Sequence, residues 1–143
     1  MILIDVNVLI YALRRDMPNH DKYHAWLEDV VNAQDMFGVS ELTLSSVIRV
    51  VTHPNIYKEP SALKDVLAFI EEIRRSPSCV FVGPGDRHWS IFLSLIKTLK
   101  LTGNAIPDAY LAALAIEWGY ELVTTDKGFA RFELLKWRHP LSG

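Results

Sequence analysis

Long apolar runs, paired cysteines and an excess of either charge are all missing from this sequence, and each absence removes a class of protein. No uninterrupted apolar stretch approaches the roughly 20 residues that cross a bilayer, so no membrane association is expected. The first residues show no charged segment followed by a long apolar stretch and a small-residue cleavage site, which argues against export. The lone Cys79 has no partner for an internal disulfide, and cytoplasmic residence is the expectation. Only 7 Gly and 7 Pro among 143 residues exclude a linker-rich chain. The net charge of −2 lacks the basic excess usual in nucleic-acid binders. Bound cations would reverse the sign around clustered acids, so that total neither supports nor excludes nucleic acid.

What is present is a hydrophobic half, enough for the core of one domain over residues 1–143. Short apolar segments at 2–4, 37–39, 79–82, 122–124 and 134–137 read as strands, with Cys79 in a buried one. Between them lie helical stripes. Val6–Leu13 leaves the first strand, residues 20–33 carry Tyr23, Trp26, Leu27, Val30 and Val31, and Leu44, Val47, Ile48 and Val51 mark a third helix that stops at His53-Pro54. Leu63, Val66, Leu67, Ile70 and Ile73 line the next, followed by a stripe of Trp89, Phe92, Leu93, Ile96 and Leu99. The last helix is predicted over 108–118, started by Pro107, closed by Gly119 and apolar on nearly every side. Strands separated by helices imply a mostly parallel sheet, and the expected fold is a three-layer α/β/α sandwich.

Four acids stand where such a fold gathers its ligands. Asp5 directly follows the first strand, Asp126 follows Leu122-Val123-Thr124-Thr125, Glu41 follows the second strand, and Asp108 opens the last helix. Strand ends and helix starts meet at the carboxyl edge of a parallel sheet. Carboxylates gathered there repel one another unless a cation lies between them, and hard oxygen donors favour Mg²⁺ or Mn²⁺. Asp5, Asp108 and Asp126 are the candidate metal ligands, with Glu41 as a fourth catalytic acid. The chemistry such a set supports is metal-assisted hydrolysis of phosphodiesters. Asn7, Asn104 and Thr125 are candidates for orienting water or phosphate; turn and cap hydrogen bonding is the alternative for all three. Asp126 can also simply start a helix and Asp108 simply favour a helix dipole, but an acid straight after a buried strand is costly without a partner. His20 and His24 lack a third ligand and read as surface residues. Arg14, Arg15 and Arg49 are candidates for phosphate contact, and Trp26, Trp89 and Tyr110 fall within apolar stripes as core.

The segment Ile4-Asp5-Val6-Asn7-Val8-Leu9-Ile10-Tyr11-Ala12 resembles the opening motif of PIN-domain ribonucleases. Residues 101–115, with Pro107-Asp108-Ala109, and 122–132, with Thr124-Thr125-Asp126-Lys127-Gly128-Phe129, resemble its closing motifs. Arg49-Val50-Val51-Thr52-His53-Pro54 and Trp137-Arg138-His139-Pro140-Leu141 are similar to the VapC toxins of type II toxin–antitoxin systems, in their mycobacterial branch. The resemblance implies an Mg²⁺- or Mn²⁺-dependent endoribonuclease acting on structured RNA such as tRNA or rRNA. It further implies a homodimer inhibited by a VapB-type antitoxin, and it carries metal-site roles to Asp5, Asp108 and Asp126. One position departs from the pattern: the family's Thr-x-x-Glu acid falls on Ser46 in Thr43-Leu44-Ser45-Ser46, and Glu41 is the expected replacement. The alternatives are a degenerate PIN domain that only binds, and a haloacid dehalogenase-type phosphatase. The phosphatase requires a second Asp where Asn7 stands.

Overall fold

Each strand is two or three residues long and pairs only with parallel neighbours, so every strand-to-strand connection must cross a face of the sheet. The structure is a computed structural model and describes residues 1–142. In chain order the elements are β1 (Ile2–Ile4), α1 (Val6–Leu13), α2 (His20–Asn32), β2 (Phe37–Val39), α3 (Glu41–Val51), α4 (Leu63–Arg75), β3 (Cys79–Phe81), α5 (His88–Leu99), α6 (Ala105–Trp118), β4 (Glu121–Val123) and β5 (Trp137–Arg138). The strands lie in the order β3-β2-β1-β4-β5. Register pairs Leu3 with Gly38 on one side of β1 and with Leu122 on the other, and Ile4 with Val123.

Side chains alternate across the sheet, and the two faces build two cores. Ile4 and Val123 pack with Val8, Leu27, Val47, Ile70 and their neighbours under α1–α4. Leu3 and Leu122 pack with Phe92, Ala112, Ala113, Leu114 and Phe129 under α5 and α6. Two helical layers enclosing one parallel sheet give the expected α/β/α sandwich. Gly38 stands where β2 meets the second layer: a Cβ there would lie 2.8 Å from Val82 Cγ2 and 3.1 Å from the Ile2 carbonyl oxygen. No helix among the described residues is long and apolar enough to cross a membrane.

Several local expectations need correction. The last helix begins at Ala105, not Asp108, because the Ala105 and Ile106 N–H groups close turns onto Thr102 and Gly103. Pro107 is tolerated in that first turn, where its missing N–H has no partner to lose. Gly119, at φ +70°, ends the helix in the left-handed region. The third strand forms the sheet edge, so Cys79 is only half-buried and Phe81 is exposed beneath the Arg74 guanidinium. Trp89 is 62% exposed and not core. The fifth strand is Trp137–Arg138, displaced from 134–137, with Leu134 exposed and Leu135 anchored in the second core.

Candidate active site

The strand order turns around between β1 and β4: successive strands build outward from β1 to β3, then from β4 to β5 on the other side. A crevice opens at the carboxyl ends of such a strand pair. Asp5 is the first residue past β1 and caps α1, its Oδ1 accepting the Val6 N–H at 2.7 Å. Because Ile4 pairs with Val123, the next residues, Asp5 and Thr124, fall side by side. The fully buried Thr124 hydroxyl donates to Asp5 Oδ2 at 2.7 Å and accepts the Asp126 N–H at 3.0 Å. Asn7 ties α1 to the same loop: its Nδ2 donates to Thr124 Oγ1 and its Oδ1 accepts the Thr125 N–H, both at 3.4 Å.

Asp5 is 7% exposed. Burial strips its carboxylate of solvation and raises its pKa from 3.8 to about 6, against the opposing hydrogen bonds from Thr124 and Val6. Asp108 and Asp126 add repulsion in the same direction. The pKa of Asp108 is raised as well, first by its partial burial, with Asp126 adding and Arg131 opposing. All three aspartates line one cleft of about 300 Å³, together with Asn7, Ser40, Thr43, Ser46 and Arg49. Larger clefts exist, about 430 Å³ between α2 and α4 and about 570 Å³ at the amino ends of the sheet, but the three acids meet in neither.

The carboxylates share the cleft without forming a ready-made cage. Among the described residues no three His, Cys, Asp or Glu side chains stand as a metal-ligand group. Two of the acids are drawn aside: Asp108 Oδ2 accepts from Arg131 Nη2 at 2.9 Å, and Asp126 Oδ1 accepts the Gly128 N–H at 2.8 Å. The donors themselves suit a hard cation, being carboxylate oxygens backed by hydroxyl and amide groups. Burial is the main cause of the raised proton affinity at Asp5 and Asp108, and Asp126 adds repulsion at both, a cost that a divalent ion would offset.

The other expected site residues fare unequally. Glu41 is the first residue of α3, after the Ser40 cap, and is turned outward: its Oε2 meets Arg74 at 3.3 Å and its side chain is 75% exposed. Five residues separate it from Ser46, which places it about 140° around the helix from that cleft-lining position. It does not replace the acid there. Asn104 is exposed, precedes α6 without making a cap bond, and lies off the cleft wall. At Thr125 the backbone N–H makes the link, while the hydroxyl that organises the site belongs to Thr124. The register of β1 on β4 sets Thr124 beside Asp5, and no feature of the sequence specified that register. Arg131 was not anticipated, and nothing in the pattern announced its partner. Arg49 lines the cleft, but Arg14 is buried and bound to Asp16, Ser61 and the Glu59 carbonyl over the Tyr57 ring.

Comparison with known proteins places this geometry among relatives. A model of the PIN domain matches residues 2–134. The VapC ribonuclease Mb2897 of Mycobacterium bovis is 39% identical over 143 residues, covering 100% of this chain and 97% of that protein. Ribonuclease VapC25 of Mycobacterium tuberculosis is 37% identical over 140 residues, covering 98% and 99%. Among solved structures, VapBC2 from Rickettsia felis, bound to a DNA fragment from their promoter, superposes with a TM-score of 0.72 at 18% identity over 97% of this chain and 98% of that one. VapBC-1 from nontypeable Haemophilus influenzae gives 0.68 at 20% identity over 99% and 100%. These last two likenesses are of fold.

Proposed function

We propose, for a chain that belongs to the PIN-domain family and within it to the VapC ribonucleases, that it hydrolyses RNA phosphodiesters as an Mg²⁺-dependent endoribonuclease and acts as the toxin of a toxin–antitoxin pair. One observation carries the reading: three carboxylates line a single cleft at the strand-order reversal, the buried one oriented by the Thr124 hydroxyl. Asp5, Asp108 and Asp126 would hold Mg²⁺, or Mn²⁺ in its place, which when bound supplies an activated water and neutralises phosphate charge.

The chain's own groups do the positioning. Thr124 and the Val6 N–H fix the Asp5 carboxylate in one orientation, and Asn7 keeps α1 registered to the loop that carries Asp126. Thr43 and Ser46 offer hydroxyls along the α3 wall, and Arg49 offers a guanidinium suited to a backbone phosphate. Structured RNA, tRNA or rRNA, is the substrate class. A VapB-type antitoxin and a second copy of the chain are the partners, in keeping with relatives solved as VapBC assemblies. The phosphatase alternative loses ground at Asn7, which is committed to Thr124 and Thr125 and is not an acid. The binding-module alternative draws on Ser46, a hydroxyl where the family carries an acid.

Purified protein incubated with total RNA tests the proposal. Discrete cleavage in Mg²⁺ that stops in EDTA and in both D5N and D108N is expected. Cleavage by the D5N/D108N double variant in EDTA would refute it, and failure of the wild type to cut any RNA while still binding it would favour the binding module.

A further inference from the structure

Two of the three candidate ligands are held by one segment. The 3₁₀ turn Lys127–Arg131 takes Asp126 at its start, where Oδ1 accepts the Gly128 N–H at 2.8 Å, and Asp108 at its end, where Arg131 Nη2 donates to Oδ2 at 2.9 Å. The Arg131 guanidinium also lies 5.0 Å from the centre of the Phe132 ring, a contact suited to a delocalised cation. Phe129 and Phe132 anchor the turn in the second core, whereas Arg131 itself stays about one-third exposed. A rigid root with a solvent-facing arm is able to release its partner without unfolding.

We infer that Arg131 is a built-in counter-cation, seated on Asp108 in competition with the divalent ion, and that loading the site requires it to swing away. The inference rests on the metal-site reading above. A guanidinium and a divalent ion compete for the same carboxylate, and an ion pair about one-third exposed on each side opposes that exchange only weakly. The pairing thus tunes divalent affinity without abolishing it. Arg131 is a positioning residue here, acting on the ion through Asp108. A merely supportive role, in which Arg131 holds Asp108 ready for the ion, predicts the opposite sign on removal.

Calorimetric titration of Mn²⁺ into the full-length protein, without RNA, reads that sign. R131A is expected to bind Mn²⁺ about two- to fivefold more tightly than wild type, the extent to which a partly exposed pair can compete. R131K keeps the charge and is expected to return towards wild-type affinity. Thermal melting of each variant in EDTA verifies folding. Equal or weaker binding by R131A, with wild-type melting, overturns the inference while leaving the metal site standing. Absence of Mn²⁺ binding in wild type and R131A alike removes the underlying site. Binding by R131A alone would be the strongest support for competition.

Discussion

Two buried carboxylates in this molecule have nearly equal exposure and opposite proton affinities. Asp5, at the end of β1, is 7% exposed and has its pKa raised to about 6; Glu117, near the end of α6, is 6% exposed and has its pKa lowered. Loss of solvation is the largest influence on both and pushes both upward. At Glu117 the Gly85 and Arg87 N–H groups, at 2.8 and 2.9 Å, together with nearby His88, outweigh it. At Asp5 the Thr124 and Val6 bonds fall short, and two further acids add repulsion. Glu117 is a finished structural element that pins residues 85–87 to α6. Asp5 is a buried acid whose hydrogen bonds do not offset its lost solvation, beside two further carboxylates in one cleft.

The comparison can be broken at either end. The largest expected effect is D5A on RNA cleavage: a loss of at least about a thousandfold, equal to about 4 kcal/mol of transition-state stabilisation, measured under single-turnover conditions. Retention of more than a tenth of wild-type activity would remove Asp5 from the chemistry. At the other acid, E117A leaves two backbone N–H groups unpaired and is expected to cost about 2–4 kcal/mol in urea unfolding. A cost near zero would show that water takes over the Glu117 role.

A pH series sharpens the contrast. Folded Asp5 holds its proton to about pH 6 against 3.8 ordinarily, so the folded state binds more protons than the unfolded chain between those values. Its contribution is fully favourable below pH 3.8 and is lost as pH rises through 6, a penalty of about 3 kcal/mol at neutral pH in EDTA. D5N escapes that penalty. It should be about 1–3 kcal/mol more stable than wild type at pH 7.5, the gap closing towards pH 4. A gap that is absent at pH 7.5, or widens on acidification, would show that Asp5 is satisfied as Glu117 is. The smallest effect is expected at E41Q, an exposed partner of Arg74: within twofold in cleavage and within about 0.5 kcal/mol in stability.

Much of this is legible in the amino-acid sequence. Apolar period and turn residues located the first four strands and displaced the fifth, and the alternation of strands with helices implied the parallel sheet. Asp5, Asp108 and Asp126 were legible because each follows a strand or opens a helix, and topology alone brings such positions to one edge. The misreadings share a cause. Glu41, expected at a strand end, opens α3, and Trp89 lies in its expected helix, but which side of a helix faces inward near its end depends on tertiary packing. The partners Thr124 and Arg131 were hidden because sequence separation says nothing of register or of which arm reaches which acid. Glu117, buried among loop amides, gave no warning at all, since an acid near the end of a helix ordinarily meets solvent.

The central claim is that the three aspartates form one divalent-cation site, and anomalous diffraction from crystals soaked in Mn²⁺ tests it most directly. The account predicts a Mn²⁺ peak in the cleft, coordinated by Asp5 and held by Asp108 and Asp126 directly or through water, with Arg131 turned away from Asp108. A saturating soak that leaves the cleft without a peak and Asp108 still paired to Arg131 would contradict it.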